Sequence, residues 1–297
     1  MVPAEPSRAW EAVTVMHASR VTVAEALGGY QFRLAEGPVW DAERGSLIVV
    51  DLWDNRFIEL TLNARVIRSF ATESTVGCVG LRAGGGYVVA TAESILILRE
   101  DLQVEHRLPG AGGGKRFNDG KVSPQGDFWV GKLAIDENPG EGSIALLSAS
   151  DLSQRTLVGG LTLPNGLDWF GDSFLHVDSL ARTVSRYSWG QLHLGTGGVM
   201  HVEQSGALPD GLCIDSEGGV WIAFWDGGEV RRFDPSAAIT DIVRVPVSRP
   251  SSCALVGDDL STLLVTTCML PENSAPAGGL FATRVKIPGS LPHRFAG

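Results

Sequence analysis

Long apolar runs are missing from this chain of 297 residues. No stretch approaches the ~18 consecutive apolar residues that cross a bilayer, and residues 1–19 mix Pro, Glu, Arg and His with small apolar residues, unlike a signal peptide. Lys/Arg clusters are also missing, and the formal net charge is −10. A nucleic-acid binder carries a basic stripe, so neither nucleic acid nor membrane is an expected partner. Cysteine is scarce: Cys78, Cys213, Cys253 and Cys268 stand apart, none in a C-x-x-C pair, which argues against a zinc ribbon and a disulfide framework. Buried, reduced thiols are expected. Neither H-E-x-x-H nor G-x-S-x-G occurs, so zincin and serine-hydrolase chemistry have no support. The Gly110–Lys115 stretch fails as a phosphate loop, because Pro109 stands where its first glycine is required and Arg116 where Ser or Thr should follow the lysine. These absences lead to the expectation of a soluble cytoplasmic protein, a monomer or a weak homodimer.

What is present is glycine and repetition. Thirty-seven glycines with only 20% charged residues mean many tight turns scattered between apolar runs. Six segments follow one plan, a short apolar run, a turn, then a strand rich in Val, Ile, Phe and Trp. Glu36-Gly-Pro-Val-Trp40 leads into Ser46–Asp51, Gly77–Leu81 into Tyr87–Ala90, and Asn118–Val122 into Phe128–Val130. Asn165–Trp169 leads into Ser173–Val177, Asp210–Ile214 into Val220–Ala223, and Ser252–Val256 into Thr262–Thr266. Openings at 36, 78, 119, 165, 210 and 252 are separated by 42, 41, 46, 45 and 42 residues. That period, with about four short strands per unit, is the signature of a propeller blade. The expected fold is all-β, a six-bladed β-propeller spanning residues 30–297, preceded by an N-terminal extension of residues 1–29. The strand-like part of that extension, about Val13 to Ala26, is expected to help close the ring beside Gly279–Thr283.

In a propeller the innermost strands begin near one mouth of the central channel, so equivalent opening positions converge. Four of these are Glu36, Asp119, Asn165 and Asp210. One isolated Asp-Gly or Asn-Gly pair is an ordinary turn. Recurrence in the repeat changes that reading, because gathered acids are costly without a partner. Oxygen donors of this kind suit a hard divalent cation. The adjacent glycines are expected to leave room for a ligand to approach.

The motifs Ala35-Glu-Gly-Pro-Val-Trp40, Arg116-Phe-Asn-Asp-Gly-Lys-Val122, Pro164-Asn-Gly-Leu-Asp-Trp169 and Pro209-Asp-Gly-Leu-Cys-Ile-Asp215, with Val177-Asp-Ser179, Ser251-Ser-Cys253 and the closing Phe-Ala-Gly297, resemble the senescence-marker protein 30 (regucalcin)/gluconolactonase/luciferin-regenerating-enzyme family. The resemblance runs in order from about residue 30 to the end. It implies a six-bladed propeller with one divalent metal ion, Ca²⁺ first, with Zn²⁺, Mn²⁺, Mg²⁺ and Fe²⁺ as alternatives. It implies Glu36, Asn165 and Asp210 as metal ligands and Arg116 and Asn118 as substrate contacts. A further substrate carboxylate, Asp136 or Glu137, falls in a loop that departs from the family pattern.

The expected activity is hydrolysis of a small sugar-type lactone, with Lewis-acid activation of the ester and water attack assisted by Asp210 as general base. Asp119 is a channel carboxylate able to share that work. Two alternatives use the same site, a promiscuous esterase or phosphotriesterase and a non-catalytic calcium-binding scaffold.

Overall fold

The computed structural model describes residues 20–188 and 197–297. These residues form six antiparallel four-stranded sheets, one of which gains a fifth strand. The innermost strands are Ala35–Asp41, Val76–Leu81, Lys115–Val122, Pro164–Phe170, Leu208–Ile214 and Pro250–Val256, and each neighbours the next around a closed ring. The protein is a six-bladed β-propeller.

Blade packing explains the sequence pattern. The second strand of a blade has a neighbouring blade on each face, so it reads as a continuous apolar run; Ser46–Asp51 and Tyr87–Thr91 are buried at every position. The outermost strands, such as Val104–Pro109, are largely exposed and polar. The apolar clusters lie between blades: Val88, Ala90 and Ile97 of blade 2 meet Phe117, Phe128 and Val130 of blade 3. All four cysteines are buried thiols in these layers.

Each innermost strand carries a register shift at the same place: Glu36/Val39, Val76/Cys78, Phe117/Gly120, Pro164/Leu167, Pro209/Leu212 and Pro250/Ser252. A bulge leaves extra residues unpaired and re-aims their side chains. Here it falls beside the opening positions of the repeat. The recurring Asp-Gly and Asn-Gly pairs are therefore parts of bulges inside strands, not ordinary reverse turns.

Ring closure joins the two chain ends. Glu25–Leu27 pairs antiparallel with Leu280–Ala282 as the outer strand of the last blade. Arg20–Val23 instead lies parallel to Asp241–Arg244 as the fifth strand of blade 5. The segment expected at one edge thus serves two, covering edges that would otherwise pair with other chains; residues 13–19 lie outside the described residues.

At the opposite mouth the C-terminal segment crosses the strand ends. The Ser216 amide donates to the Pro288 carbonyl, Arg294 Nη2 pairs with Asp41 Oδ1 at 2.7 Å, and the Phe295 amide donates to the Leu81 carbonyl at 2.8 Å. Phe295 is fully buried. Among the described residues no helix is long and apolar enough to cross a membrane.

The glycines after Asn165 and Asp210 have a different task from the one expected. A Cβ on Gly166 would stand 2.8 Å from the Asp210 carbonyl oxygen and closer still to the Leu212 amide nitrogen; one on Gly211 would overlap Ser252. Adjacent innermost strands approach so closely that the space belongs to the next blade, not to a ligand. Gly166→Ala should therefore overpack the ring and destabilise the protein by about 1–3 kcal/mol or more. Its thermal midpoint should drop by several degrees, and an unchanged midpoint would contradict this packing.

Candidate active site

Blades 1, 4 and 5 each bring one bulged residue into the channel. Glu36, Asn165 and Asp210 are all buried, at 9%, 6% and 5% exposure. The approach of each is fixed from behind. In blade 1, Asp51 Oδ1 accepts the Arg33 and Leu34 amides at 3.1 and 3.2 Å, and Ser251 Oγ donates to the Ala35 carbonyl at 2.6 Å. In blade 4, Asp178 accepts the Thr162 and Leu163 amides at 2.8 and 2.9 Å. Ser179 Oγ takes a hydrogen bond from Asn165 Nδ2 at 3.2 Å, which turns the amide oxygen the other way.

Three oxygen atoms are left over. Glu36 Oε2, Asn165 Oδ1 and Asp210 Oδ1 are buried without any hydrogen-bond partner. An unsatisfied buried acceptor costs roughly 1–3 kcal/mol, more when charged. Three of them on the residues expected to bind metal fit a hard cation that takes oxygen ligands. The third donor is an amide, and among the described residues no three side chains drawn only from His, Cys, Asp and Glu gather to hold an ion.

Electrostatics points the same way. Burial, then Asp119, raises the Glu36 pKa to about 8. Burial, then Glu36 and Asp119, pushes Asp210 well above the carboxylate range, against a lowering hydrogen bond from Asn165. Asp119 rises to about 6 through burial, opposed chiefly by Lys121. Its Oδ1 accepts the Gly120 amide at 2.7 Å. Each carboxylate thus resists ionisation, chiefly through burial, and a divalent cation would reverse the effect.

Arg116 and Asn118 occupy the same strand as Asp119. Arg116 Nη1 donates to Asn118 Oδ1 at 2.8 Å and to the Phe117 carbonyl at 3.2 Å, while Asn118 Nδ2 donates to the Pro164 carbonyl at 3.1 Å. Burial lowers the Arg116 pKa, opposed by the charges of Glu137 and Glu36. The guanidinium therefore lies between the mouth loop and the buried acids. Asp136 is exposed and accepts from Asn138 Nδ2 at 2.6 Å. Of the two loop carboxylates, Glu137 is the one whose charge acts on Arg116.

The residues 34–269 match the model of the SMP-30/Gluconolactonase/LRE-like region. The chain belongs to this family. Its relatives include regucalcin of Gallus gallus, 32% identical, with 92% of this chain and 98% of that protein covered. A 6-deoxy-6-sulfogluconolactonase of Pseudomonas putida is 31% identical over 89% of this chain and 95% of that one. Among solved structures, a calcium-binding regucalcin of Agrobacterium tumefaciens superposes with a TM-score of 0.83 at 21% identity, covering 95% of this chain and all of that one.

Family motifs whose roles were not apparent from sequence acquire them here. Val177-Asp-Ser179 supplies the carboxylate and hydroxyl that set Asn165, and Ser251 of the Ser-Ser-Cys motif anchors the strand carrying Glu36. The Val-Asp pair that ends the second strand of blades 1 and 4, Val50-Asp51 and Val177-Asp178, was the available signal. His176 is buried and stacked on Tyr187, its pKa pushed down to about 4 by burial. A cavity of about 110 Å³, lined by Lys121, Asp168, Cys213 and the C-terminal His293, lies at the other end of the innermost strands from Glu36 and Asn165.

The raised acids make a stability prediction. A carboxylate whose folded pKa exceeds its unfolded value leaves the folded state holding more protons, so stability falls as pH rises between the two values. For Glu36 that window runs from 4.5 to about 8. The thermal midpoint of metal-free protein should fall across this window, and Glu36→Gln should flatten the slope. A midpoint independent of pH between 5 and 8, followed by calorimetry, would contradict the burial of these acids together.

Proposed function

We propose that this chain is a lactonase that opens a small, sugar-type lactone with one divalent ion held by Glu36, Asn165 and Asp210. The observation that carries the reading is the convergence of three buried, partnerless oxygens from three different blades. The family supports the reaction class, and the relative named a sulfogluconolactonase supports a sugar-derived ring. The neighbour named a calcium-binding protein makes Ca²⁺ the first ion to try.

Bound there, a divalent cation would act as a Lewis acid toward the ester group of the lactone. Asp210 accepts the proton of the attacking water as oxygen adds to the carbonyl carbon. The same proton passes to the ring oxygen as the carbon–oxygen bond breaks, releasing a hydroxy acid. Arg116, desolvated and free of any direct carboxylate bond among the described residues, binds an acceptor oxygen of the substrate. Asn118 fixes that guanidinium and is itself fixed by the Pro164 carbonyl. Glu137 at the mouth accepts hydroxyl protons of a sugar ring.

The charges inside the channel support one ion rather than two. Glu36, Asp119, Asp168 and Asp210 stand against Lys121 and Arg116, a net charge of −2 when all are ionised, which one divalent cation matches.

Asp210→Asn should lower lactone turnover by about 100-fold or more while leaving the circular dichroism of the propeller unchanged. Chelation should abolish wild-type turnover, and Ca²⁺ or Mn²⁺ should restore it. Undiminished rates in Asp210→Asn would remove it as base. Tight ion binding with no turnover across lactone and ester panels would leave a binding scaffold instead.

A further inference from the structure

Lys121 takes no part in holding an ion or a substrate in this reading, yet it lies inside the channel. It follows Asp119 by two residues on the innermost strand of blade 3. Its ammonium reaches Asp168 Oδ2 of blade 4 at 2.8 Å and comes within 3.5 Å of the Leu212 carbonyl of blade 5. One side chain thus spans three blades, two residues from Asp119, whose charged form it favours.

Asp168 is saturated by this arrangement. Its Oδ2 also accepts the Ile214 amide at 3.2 Å, and its Oδ1 accepts the Trp169 amide at 2.9 Å. A carboxylate already holding an ammonium and two amides is a poor ligand for an ion. The other titratable groups around Lys121 are Asp119, the buried thiol Cys213 and His293 of the C-terminal segment. Lys121 is the group that most favours the charged form of Asp119, and it repels any cation descending the channel.

We propose that Lys121 is a positioning residue for this site: an internal cation, tethered to Asp168 and the Leu212 carbonyl, that confines a divalent ion to the Glu36–Asn165–Asp210 end of the channel and limits the affinity with which it is held. The inference rests on the divalent-ion reading. A lysine suits the task because its charge is compact and its three donors need no planar partner.

The test is calorimetric titration of the full-length protein with Ca²⁺, and separately Mn²⁺, comparing wild type, Lys121→Met, Lys121→Arg and the double variant Lys121→Met/Asp168→Asn. Circular dichroism establishes that each is folded. Removing a half-buried positive charge near an ion site favours the ion, so Lys121→Met should bind about tenfold more tightly. Lys121→Arg should stay near wild type. The double variant, which removes both charges of the pair, should return to within about threefold of wild type. A purely structural lysine gives the opposite sign, since its loss would disorder the site and weaken binding. Folded Lys121→Met with unchanged or weaker affinity overturns the proposal. If that variant does not fold, the double variant decides: wild-type-like affinity supports the role, and a large loss overturns it. Wild-type protein that binds neither ion would instead overturn the divalent-ion reading beneath it.

Discussion

Burying Glu36 and Asp210 in one channel with the half-buried Asp119 nearby gathers negative charge out of water, and much of the structure exists to enforce that meeting. Left alone, each would turn toward water or take a proton. The ring prevents the first, because the innermost strands pack too closely for the side chains to withdraw. Gly166 and Gly211 make this approach feasible, since any Cβ there would collide with the next blade. The bulges complete the effect by breaking the strand pleat where these residues stand.

A second tier of contacts holds this arrangement in register. Asp51 and Asp178 play matching parts in blades 1 and 4, each accepting two amides of the segment that enters the innermost strand. Ser179 orients Asn165, and Ser251 ties blade 6 to blade 1 beside Glu36. None of these side chains needs to touch a substrate. They fix backbone and amide orientation so that the oxygens left unpaired are the ones facing the channel.

The two channel ends are treated differently. At the end that gathers the acids, Arg116 and the loop carrying Glu137 border the site, and among the described residues no carboxylate bonds directly to the guanidinium. At the other, the C-terminal segment is pinned to strand ends by Arg294, Phe295 and backbone hydrogen bonds. Lys121 and Asp168 form a satisfied ion pair that lines a small cavity there.

Sequence alone determined the architecture and the roster of acids. The repeat interval, the apolar second strands and the ordered motifs are local facts, and a period of this length with four strands per unit leaves few folds. Convergence of equivalent repeat positions pointed to Glu36, Asp119, Asn165 and Asp210, and the family resemblance narrowed the expected ligands to Glu36, Asn165 and Asp210. Tertiary structure alone decided what those positions do to one another. The unpaired oxygens, the shift that Glu36 imposes on Asp210, and the link from Lys121 to Asp168 join residues 45 to 174 apart in the chain. Their interactions depend on side-chain direction and burial, which a repeat pattern does not encode. The same limit applies to the glycines and to residues 20–27: sequence marked them as special, but only the packed ring shows that the glycines admit a neighbouring strand and that the N-terminal segment divides between two blades.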